Sequence, residues 1–116
     1  MELRYSFSLR LCREEKFFGP GVAQLLQKID TLGSLRKAAG DINMAYSKAW
    51  KILKNAEKGL GFPLLINHTG GLGGGGASLT PACRDFLERY LRFEQECRTA
   101  VDEKFGTFFE KELSGR

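Results

Sequence analysis

The apolar residues follow two different periods along the chain. Between Leu3 and Leu11 every second residue is apolar, which is typical of a half-buried β-strand. From Val22 to Leu32, and again after Tyr46, apolar residues recur at three- and four-residue spacing, which predicts amphipathic helices. The same spacing returns after Pro81 and continues almost to the end of the chain. The pattern predicts a mainly α protein with small β elements (α+β).

Glycine, proline and capping residues place the boundaries. Phe17–Phe18 predicts a short second strand, and Pro20 suits the first position of a helix that Gly33 ends, so the first helix is predicted over 20–32. Ser34 then caps a second helix. Asn43 tolerates the left-handed conformation that a tight turn requires, and a third helix is predicted over 46–58. Two short helices joined by a turn, with alanines between them, predict a helix-turn-helix.

A glycine-rich stretch follows this unit. Short strands are predicted over 64–66 and 77–79, with the glycine-rich residues 69–76 between them. Such a strand pair with a glycine-rich tip is a hairpin wing, which we predict over 67–78. The stretch matches G-x-G-x-x-G, but no βαβ unit surrounds it, so it is weak evidence for a dinucleotide site. His68 is the only histidine and lacks neighbours of catalytic type, so we expect no enzyme, metal site or cofactor.

The last helix is predicted from Pro81, with Thr80 as its cap. Unbroken from 81 to 112 it would be about 48 Å long, which is too long for the core of one small domain. We therefore expect its apolar face to pair with a second chain, although a break at Gly106 is an alternative. The residues predicted at this homodimer interface are Leu87, Tyr90, Cys97, Val101, Phe105 and Phe108.

Charge is distributed unevenly over a chain of net charge +4. Residues 36–58 carry six Lys or Arg against two acidic residues, whereas residues 81–113 carry six against eight. A local basic excess on a helix-turn-helix favours binding to a polyanion such as double-stranded DNA. The three cysteines form no CxxC pair, which indicates reduced thiols in the cytoplasm, and no stretch is long enough to span a membrane.

Together these elements resemble the N-terminal winged helix-turn-helix DNA-binding domain of the molybdate-responsive ModE-type regulators, which is related to that of LysR-type regulators. The resemblance extends over nearly the whole chain, so we expect one domain over 1–116, with a DNA-binding core over 1–80 and a dimerisation helix over 81–113. It is carried by Phe18-Gly19-Pro20-Gly21, Asp30, Gly33-Ser34, Met44, Tyr46, Ala49-Trp50, Thr69-Gly70-Gly71, Gly73-Gly74-Gly75-Gly76 and Leu79-Thr80-Pro81.

The resemblance implies that residues 46–58 are the recognition helix. Lysines on its outer face would neutralise phosphates, its first residues would lie near base edges, and the start of the preceding helix would clamp the flanking backbone. We expect Trp50 to seal the edge of the core rather than to touch a ligand. The predicted DNA-binding residues are Arg36, Lys37, Tyr46, Ser47, Lys48, Lys51, Lys54, Asn55, Thr69, Gly71 and Gly73.

The chain departs from the family pattern in three ways. Ala45 stands where a capping Ser or Thr is usual, and this chain lacks the basic residues that are common at the position of Leu72 and near Asn67. We therefore expect the wing to hold phosphate less well. The molybdate-binding domains of full-length members would follow Arg116, so we expect no molybdate binding by this chain. The predicted function is a dimeric, sequence-specific transcriptional regulator; the alternative is a winged-helix module that binds another protein and not DNA.

Overall fold

The computed structural model describes residues 1–68 and 76–114, and within them the elements follow the order of a winged helix. The fold class is confirmed, since helices dominate and the strands form small antiparallel pairs, β1 with β2 and β3 with β4. The elements are β1 (Leu11–Cys12), β2 (Lys16–Phe18), α1 (Pro20–Leu32), α2 (Leu35–Asp41), α3 (Tyr46–Leu60), β3 (Leu65–His68), β4 (Gly76–Leu79), α4 (Pro81–Phe108) and α5 (Glu110–Leu113).

The hydrophobic core lies between α1, α2, α3 and the first turns of α4. Leu25, Leu26 and Ile29 of α1 are fully buried at its centre, since their three- and four-residue spacing puts them on one face. Alanines of α2 and α3 are buried with them and let the two helix backbones approach closely. The other core residues are Phe18, Val22, Ala23, Ala38, Ala39, Ala49, Leu53, Ala56, Leu64, Ala77, Leu79, Cys83, Leu87 and Tyr90.

The predicted roles of Gly33, Ser34, Asn43 and Thr80 at the helix boundaries are confirmed. Gly33 ends α1 with φ 72°, and Ser34 caps α2 by accepting a hydrogen bond from the Lys37 N–H at 3.2 Å. Asn43 has φ 55° in the turn before α3, as the turn chemistry predicted. Thr80 caps α4 by accepting from the Cys83 N–H at 3.1 Å. The Cys83 side chain is buried in the core, and this burial raises the pKa of its thiol to about 11.

The prediction of a strand over 3–11 is wrong, because only Leu11 and Cys12 pair with β2. The alternation of the side chains is nevertheless present, with Tyr5, Phe7 and Leu9 half-buried and the serines between them exposed. These apolar side chains lie along α4, so the predicted face exists but the backbone hydrogen bonds of a sheet do not. We call residues 1–10 the N-terminal arm.

The last helix continues through Gly106, so the break predicted as an alternative does not occur there. It ends at Phe108, however, so the predicted bound of 113 is wrong. Phe109 separates it from the short α5. With its 28 residues α4 is about 42 Å long and extends well past the core, which gives the chain dimensions of 62 × 29 × 21 Å. No helix in the described part of the chain has the length and apolar character to cross a membrane.

Candidate nucleic-acid interface

The helix-turn-helix is fixed by contacts at the turn between α2 and α3. The Met44 N–H donates to the Ala39 carbonyl at 2.8 Å, which closes the turn, and Asn43 supplies the left-handed residue that this geometry needs. Ala49 of α3 is fully buried against this unit. Because Ala45 offers no side-chain oxygen, the first N–H groups of α3 receive no side-chain cap.

The outer face of α3 is polar and basic, as the periodicity predicted. Ser47, Lys51 and Lys58 are exposed and lie opposite the buried alanines, with about 100° between successive residues of a helix. Lys54 is also exposed, and its Nζ lies 3.2 Å from Oε1 of Glu57. Within the described residues, Lys51 and Lys58 take part in no ion pair. The same holds for the predicted site residues Lys48, Arg36 and Lys37.

Asn55 and Lys48 lie toward one edge of this face. Asn55 Nδ2 is 3.4 Å from the Lys16 carbonyl oxygen, so the amide points to the β1–β2 hairpin and away from the wing. Lys48 is exposed at a helical position close to that of Asn55. The predicted site residues of α3 are therefore divided between the centre of the outer face and its hairpin side.

A groove of about 810 Å³ runs between α3, the start of α2 and the strands of the wing. The Arg36 guanidinium carbon lies 4.3 Å from the centre of the Tyr46 ring, within the range of a cation–π contact. This contact joins the first turn of α2 to the first residue of α3. Arg36, Lys37, Tyr46 and Lys54 all line the groove, so the structure brings these predicted residues together.

Trp50 also lines this groove, and our expectation that it seals the core edge is wrong. Its side chain is 48% exposed, and the Lys54 Nζ lies 5.4 Å from its ring centroid. Trp50 comes one helical turn after Tyr46, so both rings face the wing side of α3. The four-residue spacing from Tyr46 could have indicated that Trp50 lies on the wing side of α3. The prediction of burial relied instead on the large apolar area of tryptophan.

The base of the wing is anchored to the core through its backbone. The Ala77 N–H donates to the Gly33 carbonyl at 2.9 Å, and a Cβ at Gly76 would lie 2.7 Å from the same oxygen, so only glycine fits there. Across the hairpin, His68 Nε2 and Ser78 Oγ are 2.8 Å apart. The predicted wing residues Thr69, Gly71 and Gly73, together with Leu72, lie outside the described residues.

The start of β3 is tied to α3 by one carboxylate. Glu57 Oε2 accepts a hydrogen bond from the Leu64 N–H at 2.8 Å, while its other oxygen contacts Lys54. Glu57 is therefore shared between the wing base and Lys54 at the edge of the outer face of α3. The wing strands and α3 are thus held in a fixed relation.

The residues predicted at a dimer interface fall into two groups. Leu87 and Tyr90 are buried within the chain itself, and the Tyr90 hydroxyl donates to the Leu9 carbonyl at 2.8 Å. Burial raises the pKa of Tyr90, with a smaller contribution from Glu94. The others lie farther along α4: Cys97, Val101 and Phe105 are half-buried, and Phe108 is 75% exposed.

A helix-turn-helix with a basic outer face, followed by a β-hairpin anchored beside it, defines the winged helix-turn-helix class of DNA-binding proteins. The chain belongs to the bacterial regulatory helix-turn-helix proteins of the LysR family, whose family model matches residues 22–84.

Relatives of this chain carry the names of molybdenum-related regulators. It is 36% identical over 79 residues to the transcriptional regulator ModE of Haemophilus influenzae, covering 68% of this chain and 31% of that protein. It is 36% identical over 74 residues to the molybdenum transport protein ModE of Herbaspirillum seropedicae, covering 64% of this chain and 26% of that protein.

The longest of these matches covers 88% of this chain, at 29% identity over 102 residues, and 38% of the DNA-binding transcriptional dual regulator ModE of Escherichia coli. The chain therefore spans between about a quarter and two fifths of the length of these relatives. These matches confirm the ModE-type DNA-binding domain that the sequence motifs indicated. The family and the names of the relatives indicate a transcriptional regulator and not an enzyme.

Proposed function

We propose that the chain acts as a homodimeric, sequence-specific transcriptional regulator in the cytoplasm, with α3 in the major groove of DNA and the wing near the sugar-phosphate backbone. The observation that carries the proposal is the outer face of α3, where lysines and Ser47 are exposed opposite a face of buried alanines. A helix with this division of faces fits the major groove, which is wide enough to admit it.

Each exposed group has a role that follows from its place on the helix. Lys51, Lys54 and Lys48 neutralise phosphates, and Arg36 with Lys37 contacts the flanking backbone at the start of α2. Ser47 and Tyr46 lie at the N-terminal end of α3, where a recognition helix meets base edges. Trp50 adds an exposed apolar ring on the same helix, and such a surface suits the methyl group of thymine.

Dimerisation is proposed through the part of α4 that leaves the core. Beyond Tyr90 this helix carries half-buried Val101 and Phe105 and exposed Phe93 and Phe108. An apolar cleft of about 320 Å³ opens between these turns and Tyr5. Apolar surface of this kind favours association with a second chain, and a symmetric pair would place two α3 helices at half-sites about 34 Å apart.

The test compares two substitutions on the outer face of α3. Lys51→Ala should weaken binding to preferred and random duplexes alike and reduce the salt slope of the affinity by about one unit, because a phosphate contact carries no sequence information. Ser47→Ala should cost about 1–3 kcal/mol for the preferred site and little for random DNA. Fluorescence anisotropy against a site selected from random duplexes measures both.

Lys111→Ala is the matched control, since it removes an exposed lysine from α5, far along the chain from α3. It should leave DNA affinity unchanged. If the two α3 variants remain folded and bind DNA like the control, α3 does not read DNA. The exposed apolar face of α4 would then favour the second candidate function, a winged-helix module that binds another protein.

A further inference from the structure

The N-terminal arm runs antiparallel to α4 in an extended form. Tyr5 contacts Asp102 through its hydroxyl and Phe105 through its ring, with the ring centroids 4.8 Å apart. The Leu9 carbonyl, four residues on, accepts from Tyr90, twelve residues earlier in the helix. The twelve residues of α4 from Tyr90 to Asp102 span about 18 Å, whereas the four residues of the arm from Tyr5 to Leu9 span at most about 13 Å. The arm must therefore be extended, and side chains bridge the remaining distance.

Side chains of α4, and not a strand, hold the arm. Arg98 Nη2 lies 3.4 Å from the Phe7 carbonyl oxygen, and its guanidinium carbon is 5.2 Å from the centre of the Phe7 ring. The carbonyls of Phe7 and Leu9 therefore face donors on α4. Backbone groups of successive strand residues point to opposite sides, so those of Ser6 and Ser8 face away from these donors.

The free side of the arm is an unpaired strand edge. Within the described residues, no backbone–backbone hydrogen bond involves residues 1–10, and pairing with β2 begins only at Leu11. An extended segment with an apolar face and an open edge is a template for another strand. Because the apolar side chains are at odd positions, a second strand must pair odd with odd to put both apolar faces on the same side.

The arm's own sequence is complementary to itself in one such register. When two copies run antiparallel and Ser6 lies opposite Ser6, Glu2 faces Arg10 at both ends, Tyr5 faces Phe7 and Leu3 faces Leu9. The next register, centred on Phe7, instead places Arg4 opposite Arg10 twice, and like charges directly opposite are destabilising. Of these two registers, charge favours the one centred on Ser6.

We propose that the N-terminal arms of two copies pair as an antiparallel β-ribbon centred on Ser6, with the ribbon covering the distal turns of α4. The proposal rests on the homodimer proposed above and names the segment that completes it. Each copy then supplies the strand that the other lacks, which accounts for the strand pattern of residues 3–11 and its absence from the isolated chain.

Disulfide trapping tests the register. In a background where Cys12 and Cys97 are serine, Ser6→Cys should form a covalent dimer on mild oxidation, because paired residues place their Cα atoms about 5.5 Å apart. Ser8→Cys is the matched control: it is equally exposed, yet its two copies would be separated by about 13 Å along the ribbon and should stay monomeric in a denaturing gel. Equal trapping of both variants, or of neither, would overturn the proposal.

Exchanging the charges of Glu2 and Arg10 tests the same register without cysteines. Arg10→Glu should weaken dimerisation roughly tenfold, since it places two like-charged pairs in the ribbon, and Glu2→Arg added to it should restore the dimer. Sedimentation measured alongside separates the two proposals. A dimer with no Ser6→Cys trapping and no effect of the charge exchange contradicts the ribbon alone, whereas a monomer at all concentrations contradicts the homodimer itself.

Discussion

The two ends of this molecule are built on different principles. The helix-turn-helix end contains the fully buried residues of α1, α2 and α3. Its wing is anchored by backbone N–H groups that donate to the Gly33 carbonyl and to the Glu57 carboxylate. The distal end consists of one long helix and an extended arm, and in its described residues no side chain beyond Tyr90 is buried. The first end contains the buried core of the chain, whereas the second exposes Phe93 and Phe108 without a core of its own. We infer that stability resides in the first end and association in the second.

The largest difference between the two ends should come from truncating apolar side chains. Ile29→Ala removes a fully buried side chain and should lower the free energy of unfolding by about 2–5 kcal/mol. Phe108→Ala should leave the unfolding of dilute protein nearly unchanged, because this ring is 75% exposed, yet it should weaken self-association.

Urea denaturation at several protein concentrations measures both the stability of the single chain and the contribution of self-association. For Ile29→Ala the midpoint should fall at every concentration, and for Phe108→Ala only at concentrations where the parent chain is dimeric. Equal losses for both variants in dilute protein would show that the distal end is part of one cooperative core.

Glycine substitutions sharpen the same comparison on a smaller scale. A Cβ at Gly59 would lie 2.3 Å from the Phe17 ring, so Gly59→Ala should destabilise the chain by about 1–3 kcal/mol. Gly106 has open space around it within α4, and Gly106→Ala should stabilise the helix by about 0.5–1 kcal/mol. Thermal unfolding of the two variants should therefore shift in opposite directions, and a loss at both positions would mean that α4 is closely packed at Gly106.

The smallest effect is expected at the wing. Asn67 is exposed and lines the groove, where it supplies no charge. Asn67→Lys should tighten binding to any duplex and steepen the salt dependence by about one counterion, if the wing lies against phosphate. Gln95→Lys, on α4, adds the same charge elsewhere and should do neither. Identical behaviour of the two variants would place β3 away from the backbone of DNA.

Local signals predicted the compact end well. Pro20, Gly33 and Ser34 gave the bounds of α1 and the start of α2, and the turn chemistry of Asn43 placed the beginning of α3 at Tyr46, although α3 runs two residues further than predicted. These signals succeed because caps and turns depend on neighbours in the sequence.

The errors lie where the environment depends on distant residues. Alternation over 3–11 correctly indicated which side chains are half-buried, but the sequence of one chain does not say whether a partner strand is present. Periodicity placed Leu87 and Tyr90 on the apolar face of α4 without showing that the core of the same chain covers them. For Trp50 and Asn55, side-chain direction depends on how the hairpins pack beside α3.

The claim that one end reads DNA while the other joins two copies is tested most directly by the mass of the protein–DNA complex. Sedimentation with a duplex carrying a selected site should give two 13.0 kDa chains per duplex. Val101→Glu places a charge in the half-buried face of α4 and should give one chain per duplex with weaker binding, while the protein stays folded. Tyr90→Glu is unsuitable, because it would disrupt the core. One chain per duplex for the unaltered protein, or two for Val101→Glu at equal affinity, would contradict the account.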